Sequence, residues 1–463
     1  MAVGRGRRDA GRARTITDWD PEDTLAWENG GAKVARRNLV WSVIAEHIGF
    51  SVWTLWSVMV LFMPTDVYGI TAGDKFLIGA VATLSGAALR FPYTLATTRF
   101  GGRNWTIASA LILVVPVVAT ILLLANPGQP LWMYLVCAAL TGFGGGNFAS
   151  SMTNINAFYP QRLKGWALGL NAGGGNLGVP AVQLVGLLVI AWAGDRQPYW
   201  VCAVYLLLLA VAAVGAALFM DNLEGPGVDV ASMRAALVDR DTWLISLLYI
   251  GTFGSFIGFS FAFSQVLALS FLDDGQTQAQ AVLHAAQIAF LGPLLGSIAR
   301  IYGGRLADRV GGSRVTLGAF IGMVGAAGVV LVGDSIAVQT VGFVALFVLS
   351  GMGNGSVYKI IPSVYEAKAR SLPSGGLEPV AYSRAMSGAV IGIAGAIGGL
   401  GGVGINLVLR QSYQQSGGAT AAIIVFAVFY LVAALVTWRV YVVVPRPGAE
   451  HVPAEPVSAK LSS

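Results

Sequence analysis

Gly296-Ser-Ile-Ala-Arg300, followed nine residues later by Arg309-Val-Gly-Gly312, repeats in ungapped register an earlier stretch, Gly86-Ala-Ala-Leu-Arg90 followed by Arg99-Phe-Gly-Gly102. Each copy sets an arginine inside an apolar run, four residues after a glycine. A helix rising 1.5 Å per residue puts Arg90 and Arg300 roughly 13 Å from the interfacial Arg99 and Arg309, near the middle of a bilayer. The repeat therefore predicts a chain built from two similar halves, each carrying one mid-membrane arginine.

The surrounding sequence agrees with a membrane setting. Of 463 residues, 55% are hydrophobic and only 11% charged, a balance foreign to soluble domains. Twelve apolar stretches are long enough to cross roughly 30 Å of hydrocarbon: about 39–63, 76–98, 104–125, 131–159, 166–193, 199–220, 242–271, 279–302, 315–333, 337–363, 385–409 and 419–443. Lipid offers the backbone no hydrogen-bond partner, and a barrel needs short alternating strands, so the expected fold is an all-α membrane protein of twelve transmembrane helices. The longest internal connection, 221–241 with Asp221, Glu224, Pro226 and Asp229, divides it into six-helix bundles at 39–220 and 242–443, with tails at 1–38 and 444–463. Parallel halves with inverted repeats inside each are the pattern of a transporter whose site lies between the halves.

Charge sets the topology. All 29 lysines and arginines but six lie in the two tails and alternate loops; Lys75, Arg196 and Arg410 fall in the opposite loops, and Arg90, Arg300 and Lys359 within spans. This is the positive-inside pattern, with both termini in the cytoplasm. The net charge of +6 thus reports orientation, not nucleic-acid binding. The basic start (Arg5, Arg7, Arg8, Arg12, Arg14) does not lead into a short apolar region with a cleavage site, so no cleavable signal is expected and the tail lies on the cytoplasmic face. The sixty glycines suit closely packed membrane helices. Cys137 and Cys202 fall inside spans as small packing residues.

An arginine at mid-membrane costs about 2.5–3.5 kcal/mol on the insertion scale. No carboxylate lies within a turn or two of Arg90 or Arg300, and only Glu46 is clearly intramembrane. Structural ion pairing is the bland reading of the arginines, but acids are too few to neutralise both and Lys359. The missing counter-charge is then the cargo. Two facing guanidinium forks suit a small planar oxyanion, because each donates paired hydrogen bonds in one plane.

Other stretches bear on movement. Glycines and amides crowd span 4 (Gly142-Phe-Gly-Gly-Gly-Asn147) and span 5 (Gly169 to Gly178), and are echoed in span 10 (Gly351-Met-Gly-Asn-Gly355) and span 11 (Gly392 to Gly404). After span 8, Gly304-Arg305-Leu-Ala-Asp308-Arg309 carries the chemistry of a gate latch, its Asp able to pair with a base or cap a helix in one conformation. It resembles the loop motif of the major facilitator superfamily, whose copy between spans 2 and 3 lacks the Asp here (Thr98-Arg-Phe-Gly-Gly-Arg103).

A narrower resemblance rests on Gly146-Asn-Phe-Ala-Ser-Ser-Met-Thr-Asn-Ile155, Ala167-Leu-Gly-Leu-Asn171, Gly175-Asn-Leu-Gly178, Leu89-Arg-Phe-Pro-Tyr93 and Thr252-Phe-Gly-Ser-Phe-Ile-Gly-Phe-Ser260. With the glycine-rich runs of spans 5 and 11, these resemble the nitrate/nitrite porter family of the major facilitator superfamily, from about Asp18 to span 12. The resemblance implies that Arg90 and Arg300 clamp the anion, that Asn176 donates an amide hydrogen bond, that Tyr249 supplies a hydroxyl, and that Phe50, Phe148 and Phe253 wall the pocket. Packing or lipid contact is the plainer role for each Phe. Gly169, Gly173, Gly175, Gly178, Gly395, Gly398 and Gly399 are expected as sliding surfaces between halves or as close-packing contacts, with Arg305, Asp308 and Arg309 at the gate.

Glu46-His-Ile-Gly-Phe50 and Tyr358-Lys-Ile-Ile-Pro362 depart from the exchanger branch and look like the branch proposed to couple nitrate to protons. Glu46 and Lys359 are expected to pair and to couple protons; the alternative is a Lys359 that snorkels to the interface, neutralised by Glu46. The resulting expectation is a monomeric cytoplasmic-membrane transporter for nitrate, with nitrite as second substrate, driven by proton symport, or alternatively by nitrate/nitrite antiport. Neither cofactor nor metal is expected. An enzyme is disfavoured because His47, His284 and His451 are scattered and no nucleophile-base pair or metal-ligand spacing occurs; a sensor is disfavoured by the lack of a soluble domain.

Overall fold

Prolines dictate where the membrane helices bend. A proline at position i removes the N–H that would bond the carbonyl of i−4. Pro92, Pro116, Pro180 and Pro293 release the carbonyls of Ala88, Ile112, Asn176 and Ala289, and regular helix ends at each of those four residues before resuming two positions on. Span 2 consequently bends next to Arg90 and span 5 next to Asn176. Pro362 is accommodated without interruption in the helix Ile336–Arg370.

A computed structural model describes residues 15–194, 197–224, 230–371 and 379–443. The basic run Arg5 to Arg14, Arg196, Pro226, Asp229, and the C-terminal tail with His451 lie outside the described residues. Among the described residues, eleven helices are long and apolar enough to span a membrane: Thr24–Phe62, Ala72–Phe100, Gly102–Ala125, Arg162–Ala193, Tyr199–Phe219, Arg240–Asp273, Gln278–Val310, Gly312–Val332, Ile336–Arg370, Ala381–Ser416 and Thr420–Val442. Span 4 completes the set as Leu131–Thr141 continued by Phe143–Phe158, a helix pair whose glycines, asparagines and serines dilute its apolarity. The result is an all-α fold of twelve transmembrane helices in two six-helix halves. An even number of spans returns both chain ends to one face, called here the near side.

The doubled motif is a doubled structure. Spans 2 and 8 both end in a tight turn at the first glycine of the Gly-Gly pair, Gly101 at φ 86° and Gly311 at φ 95°, and helix restarts at Gly102 and Gly312. That left-handed conformation suits glycine. Residues Gly304 to Val310, expected as loop, instead form the last turns of span 8, because no helix breaker intervenes before Gly311.

The described residues ahead of span 1 pack against the bundle. Thr15–Ile16 (β1) pairs in parallel with Asn222–Leu223 (β2) just after span 6. Trp19 and Trp27 meet Phe158 and Tyr159 edge-on at 5.5 and 5.7 Å. Arg37 and Asn38 both bond Asp221. Helix runs continuously from Ala32 into span 1, ahead of the expected start at 39.

The halves join on the far side and part on the near side. Across the seam, Gln183 donates to the Ser260 carbonyl at 2.9 Å and Ser264 to the Ser57 carbonyl at 2.6 Å. Phe76 of span 2 packs on Tyr413 of span 11, ring centroids 5.2 Å apart. On the near side, by contrast, Gly165, Gly169 and Gly173 of span 5, Gly304 of span 8, and Gly388 and Gly392 of span 11 meet nothing within 4 Å.

Neighbouring glycines of span 8 give a test of this packing. A Cβ on Gly303 would press on the Met352 backbone, its carbonyl carbon 2.8 Å away, whereas one on Gly304 enters open space. Gly303→Ala is expected to lose about 1–3 kcal/mol through overpacking and to lower the melting temperature of the purified protein, while Gly304→Ala leaves it within a degree or two.

Candidate functional site

Two guanidiniums are buried near the centre of the molecule, Arg90 with 2% of its surface exposed and Arg300 with 7%. Neither makes an ion pair among the described residues. Arg90 leaves span 2 at the Pro92 bend and reaches across the seam. Its Nε donates to the Gly145 carbonyl of span 4 at 3.4 Å, and its Nη1 to the Gly395 carbonyl of span 11. Nη2 of Arg90 and Nη1 of Arg300 have no protein partner. A buried polar group left unpaired costs about 1–3 kcal/mol, more when charged, so both N–H groups are poised to bind an acceptor.

Aromatic rings connect these charges. Phe50 stacks on Phe148 at 6.2 Å, Phe148 on Phe253 at 6.5 Å, Phe253 on Tyr249 at 5.3 Å, and Tyr249 on Tyr358 at 4.7 Å. The row crosses from the first half to the second between Phe148 and Phe253. The Arg90 guanidinium lies at that crossing, 4.8 Å from one ring centroid and 4.6 Å from the other. Arg300 lies 5.6 Å from the Tyr358 centroid at the row's end. Each such cation–ring contact is worth about 0.5–2 kcal/mol, and it leaves the in-plane N–H groups available. A π-helical turn, Ile250–Gly254, follows Tyr249 and contains Phe253, and the two rings are 7° from parallel. The hydroxyls of Tyr249 and Tyr358 have no hydrogen-bond partner, nor have either of the amide atoms of the fully buried Asn176.

Glu46 is the carboxylate within electrostatic reach of both guanidiniums. It stands one helical turn before Phe50 and accepts hydrogen bonds from Ser151 Oγ and, at 2.7 Å, from Asn171 Nδ2; its other oxygen is unpartnered. Gly175 leaves it room, since a Cβ there would collide with the carboxylate.

The expected Glu46–Lys359 pair is not formed. Lys359 Nζ instead bonds Asp308 Oδ1 at 2.6 Å, with both side chains substantially exposed. The cause is helical geometry: Tyr358 faces the arginines, and its successor, about 100° further round the helix, faces the end of span 8. Asp308 thus pairs with a base of its own half. Arg305 and Arg309 are exposed on the same helix end.

The glycines also divide. A Cβ on Gly169 or Gly173 would meet nothing within 4 Å, while Gly175 and Gly178 pack on Glu46 and the His47 carbonyl of span 1, within one half and not between halves. Gly398 packs on Tyr249, a Cβ on Gly395 would stand 3.2 Å from the Tyr358 hydroxyl, and one on Gly399 would stand 2.9 Å from Ala87 Cβ of the opposite half. Sequence reasoning had not singled out Tyr358, the Gly145 and Gly395 carbonyls, or Ser151 and Asn171. Backbone acceptors leave no mark in a sequence, but Tyr358 adjoins Lys359 and the other two lie in the amide-rich stretches.

Residues 47–405 match the Major Facilitator Superfamily. The chain is 36% identical over 455 residues to the nitrate/nitrite transporter NarU of Escherichia coli, covering 92% of this chain and 96% of that protein. The chain belongs to the nitrate/nitrite porter family of this superfamily. It is 30% identical to the probable nitrate/nitrite antiporter NarK2 of Thermus thermophilus over 94% of this chain and 97% of that one, and 29% identical to the nitrite extrusion protein of Bacillus subtilis over 80% and 85%. A solved crystal structure of the nucleoside transporter NupG, a point mutant, superposes with a TM-score of 0.61 over 87% of this chain and 100% of that one, at 14% identity, a likeness of fold. As a member of the family the chain is a multi-pass membrane transporter and not an enzyme.

Proposed function

We propose that this protein carries nitrate across the cytoplasmic membrane by alternating access, with nitrite as second substrate and proton symport as the driving force, as a monomer whose termini both face the cytoplasm. The observation that carries the reading is the pair of buried guanidiniums, each with an N–H lacking an acceptor and neither paired to a carboxylate among the described residues. The names of the relatives point to the same anions.

In this reading the anion lies between Arg90 and Arg300, receiving charge-assisted hydrogen bonds from Nη2 of one and Nη1 of the other, each worth about 1.5–3 kcal/mol. The flat faces of Phe148 and Phe253 suit a planar ion, and Asn176, Tyr249 and Tyr358 add neutral donors. Arg90 bridges spans 4 and 11, so an anion drawing on it engages both halves at once. Glu46 supplies the coupling. A bound anion cancels the cationic field that favours the carboxylate, so anion and proton support each other's binding. Lys359 leaves the coupling pair and joins Asp308 in a near-side latch, held on one half while the near side is open and released for the other half as it closes.

The second reading is nitrate/nitrite exchange, favoured by the name of the Thermus relative. Two mutually repelling arginines then prevent the empty carrier from reorienting.

Proteoliposome uptake separates the two. Symport predicts nitrate accumulation under an inward proton gradient with no internal anion, abolished when the gradient is collapsed; uptake that requires internal nitrite and ignores the gradient establishes exchange. Glu46→Gln is expected to remove the proton dependence while nitrate binding stays within about twofold of wild type. Arg90→Lys and Arg300→Lys should each weaken nitrate binding at least tenfold, about 1.4 kcal/mol, because a point charge does not reproduce a planar fork. Retained affinity in both contradicts the clamp.

A further inference from the structure

Lys75 was expected in an exposed far-side loop. It is instead in the first turn of the helix Ala72–Ala88, with only 9% of its surface exposed. It lines a small cavity of about 50 Å³ between the halves, walled by Val60, Leu61 and Ala72 on one side and Gln265, Ala268 and Leu272 on the other and opening to the far surface beside the exposed Thr65. Room for one water is roughly 10–15 Å³ on this scale, so the space suits a few waters or one small ion.

The environment of Lys75 is chemically unbalanced. It makes no ion pair among the described residues. Nearby acids are otherwise placed: Asp74 accepts the amide and hydroxyl of Thr71 in a helix cap, and Asp66, Asp273 and Asp274 are exposed. Thr65 donates its hydroxyl to the Ile70 carbonyl. Gln265, only 4% exposed, lines the same cavity from the other half. Removing an ammonium from water costs several kcal/mol unless a counter-charge accompanies it. The Lys75 side chain is largely buried and has no ion-pair partner among the described residues, so a small anion in the cavity would offset its partial desolvation.

We propose that Lys75 and Gln265 form an outer subsite for a small inorganic oxyanion at the far-side seam. The proposal rests on the transport reading above: this is where an anion arriving from the far side is first held, before it reaches the arginines. Lys75 precedes Arg90 by fifteen residues of the same span, about 22 Å of helix, too far for one small anion to touch both. The subsite therefore acts on capture, not on the central affinity. Because the cavity walls come from both halves, the lysine returns to water when the far side opens. There it is a solvated cation at the mouth of the path.

The test uses the full-length protein and nitrate as probe, with uptake measured from the outer face in intact cells and from the inner face in inverted vesicles. Lys75→Met, which keeps the apolar stem and removes the charge, is expected to raise the outer-face KM at least fivefold, with the maximal rate within about twofold and the inner-face KM unchanged. Lys75→Arg is expected to restore the wild-type KM, and Lys75→Gln to behave as Lys75→Met should the latter fail to fold. An outer-face KM within twofold of wild type in Lys75→Met, or an equal shift at both faces with a lower maximal rate, overturns the subsite. Equilibrium nitrate binding to purified Lys75→Met matching wild type confirms that the central site is intact. Wild-type protein that binds and moves no nitrate refutes the transport reading itself, and is thereby distinguished from failure of the subsite alone.

Discussion

Charge without a counter-charge, held where water does not reach, is the constraint on which the molecule depends. A mid-membrane arginine is tolerated when neighbours satisfy its five donors and its charge is matched. Here the protein does the first in part and the second in part, since Glu46 is within electrostatic reach of both guanidiniums but makes an ion pair with neither among the described residues. Arg90 receives two carbonyls and the faces of two phenylalanines, which hold its plane and orientation without neutralising it. The deficit is located on two defined N–H groups. A low-dielectric surround strengthens any interaction made there, and the geometry favours a flat acceptor over a spherical one.

The same contacts connect binding to movement. The aromatic row and the Arg90 side chain are shared between halves, so the seam runs through the site. The far side is closed by backbone-directed hydrogen bonds from Gln183 and Ser264. On the near side, glycine faces of spans 5, 8 and 11 stand open. Small-residue faces of this kind let membrane helices approach closely. The Asp308–Lys359 ion pair lies at the edge of this open region and is exposed, where an ion pair contributes about 0–1 kcal/mol.

Much of this was legible in the sequence because it follows from periodicity and charge alone. The ungapped repeat of Gly86–Gly102 by Gly296–Gly312 located both arginines, and the structure gives Gly101 and Gly311 the same left-handed turn. Twelve spans followed from apolar length, including span 4, whose glycines lower its hydropathy. What was not legible depends on rotation about a helix axis and on backbone acceptors. Residue counts put Lys359 at a depth close to that of Glu46, yet one step along span 10 turns it toward Asp308. Gly169 and Gly175 look alike in sequence, but one meets open space and the other a carboxylate. Residues 304 to 310 read as loop from their charges, although nothing in them breaks a helix. Lys75 read as a solvated loop lysine because composition carries no information on which half covers it.

The central claim is that the anion completes the charge balance of Arg90 and Arg300. It is tested most directly by determining the structure of the protein in saturating nitrate and again in nitrate-free buffer. A flat, trigonal density is predicted in the first structure only, within hydrogen-bonding distance of Arg90 Nη2 and Arg300 Nη1 and adjoining the rings of Phe148 and Phe253. Nitrate density elsewhere, with both guanidiniums bonded to carboxylates of the protein, would contradict it.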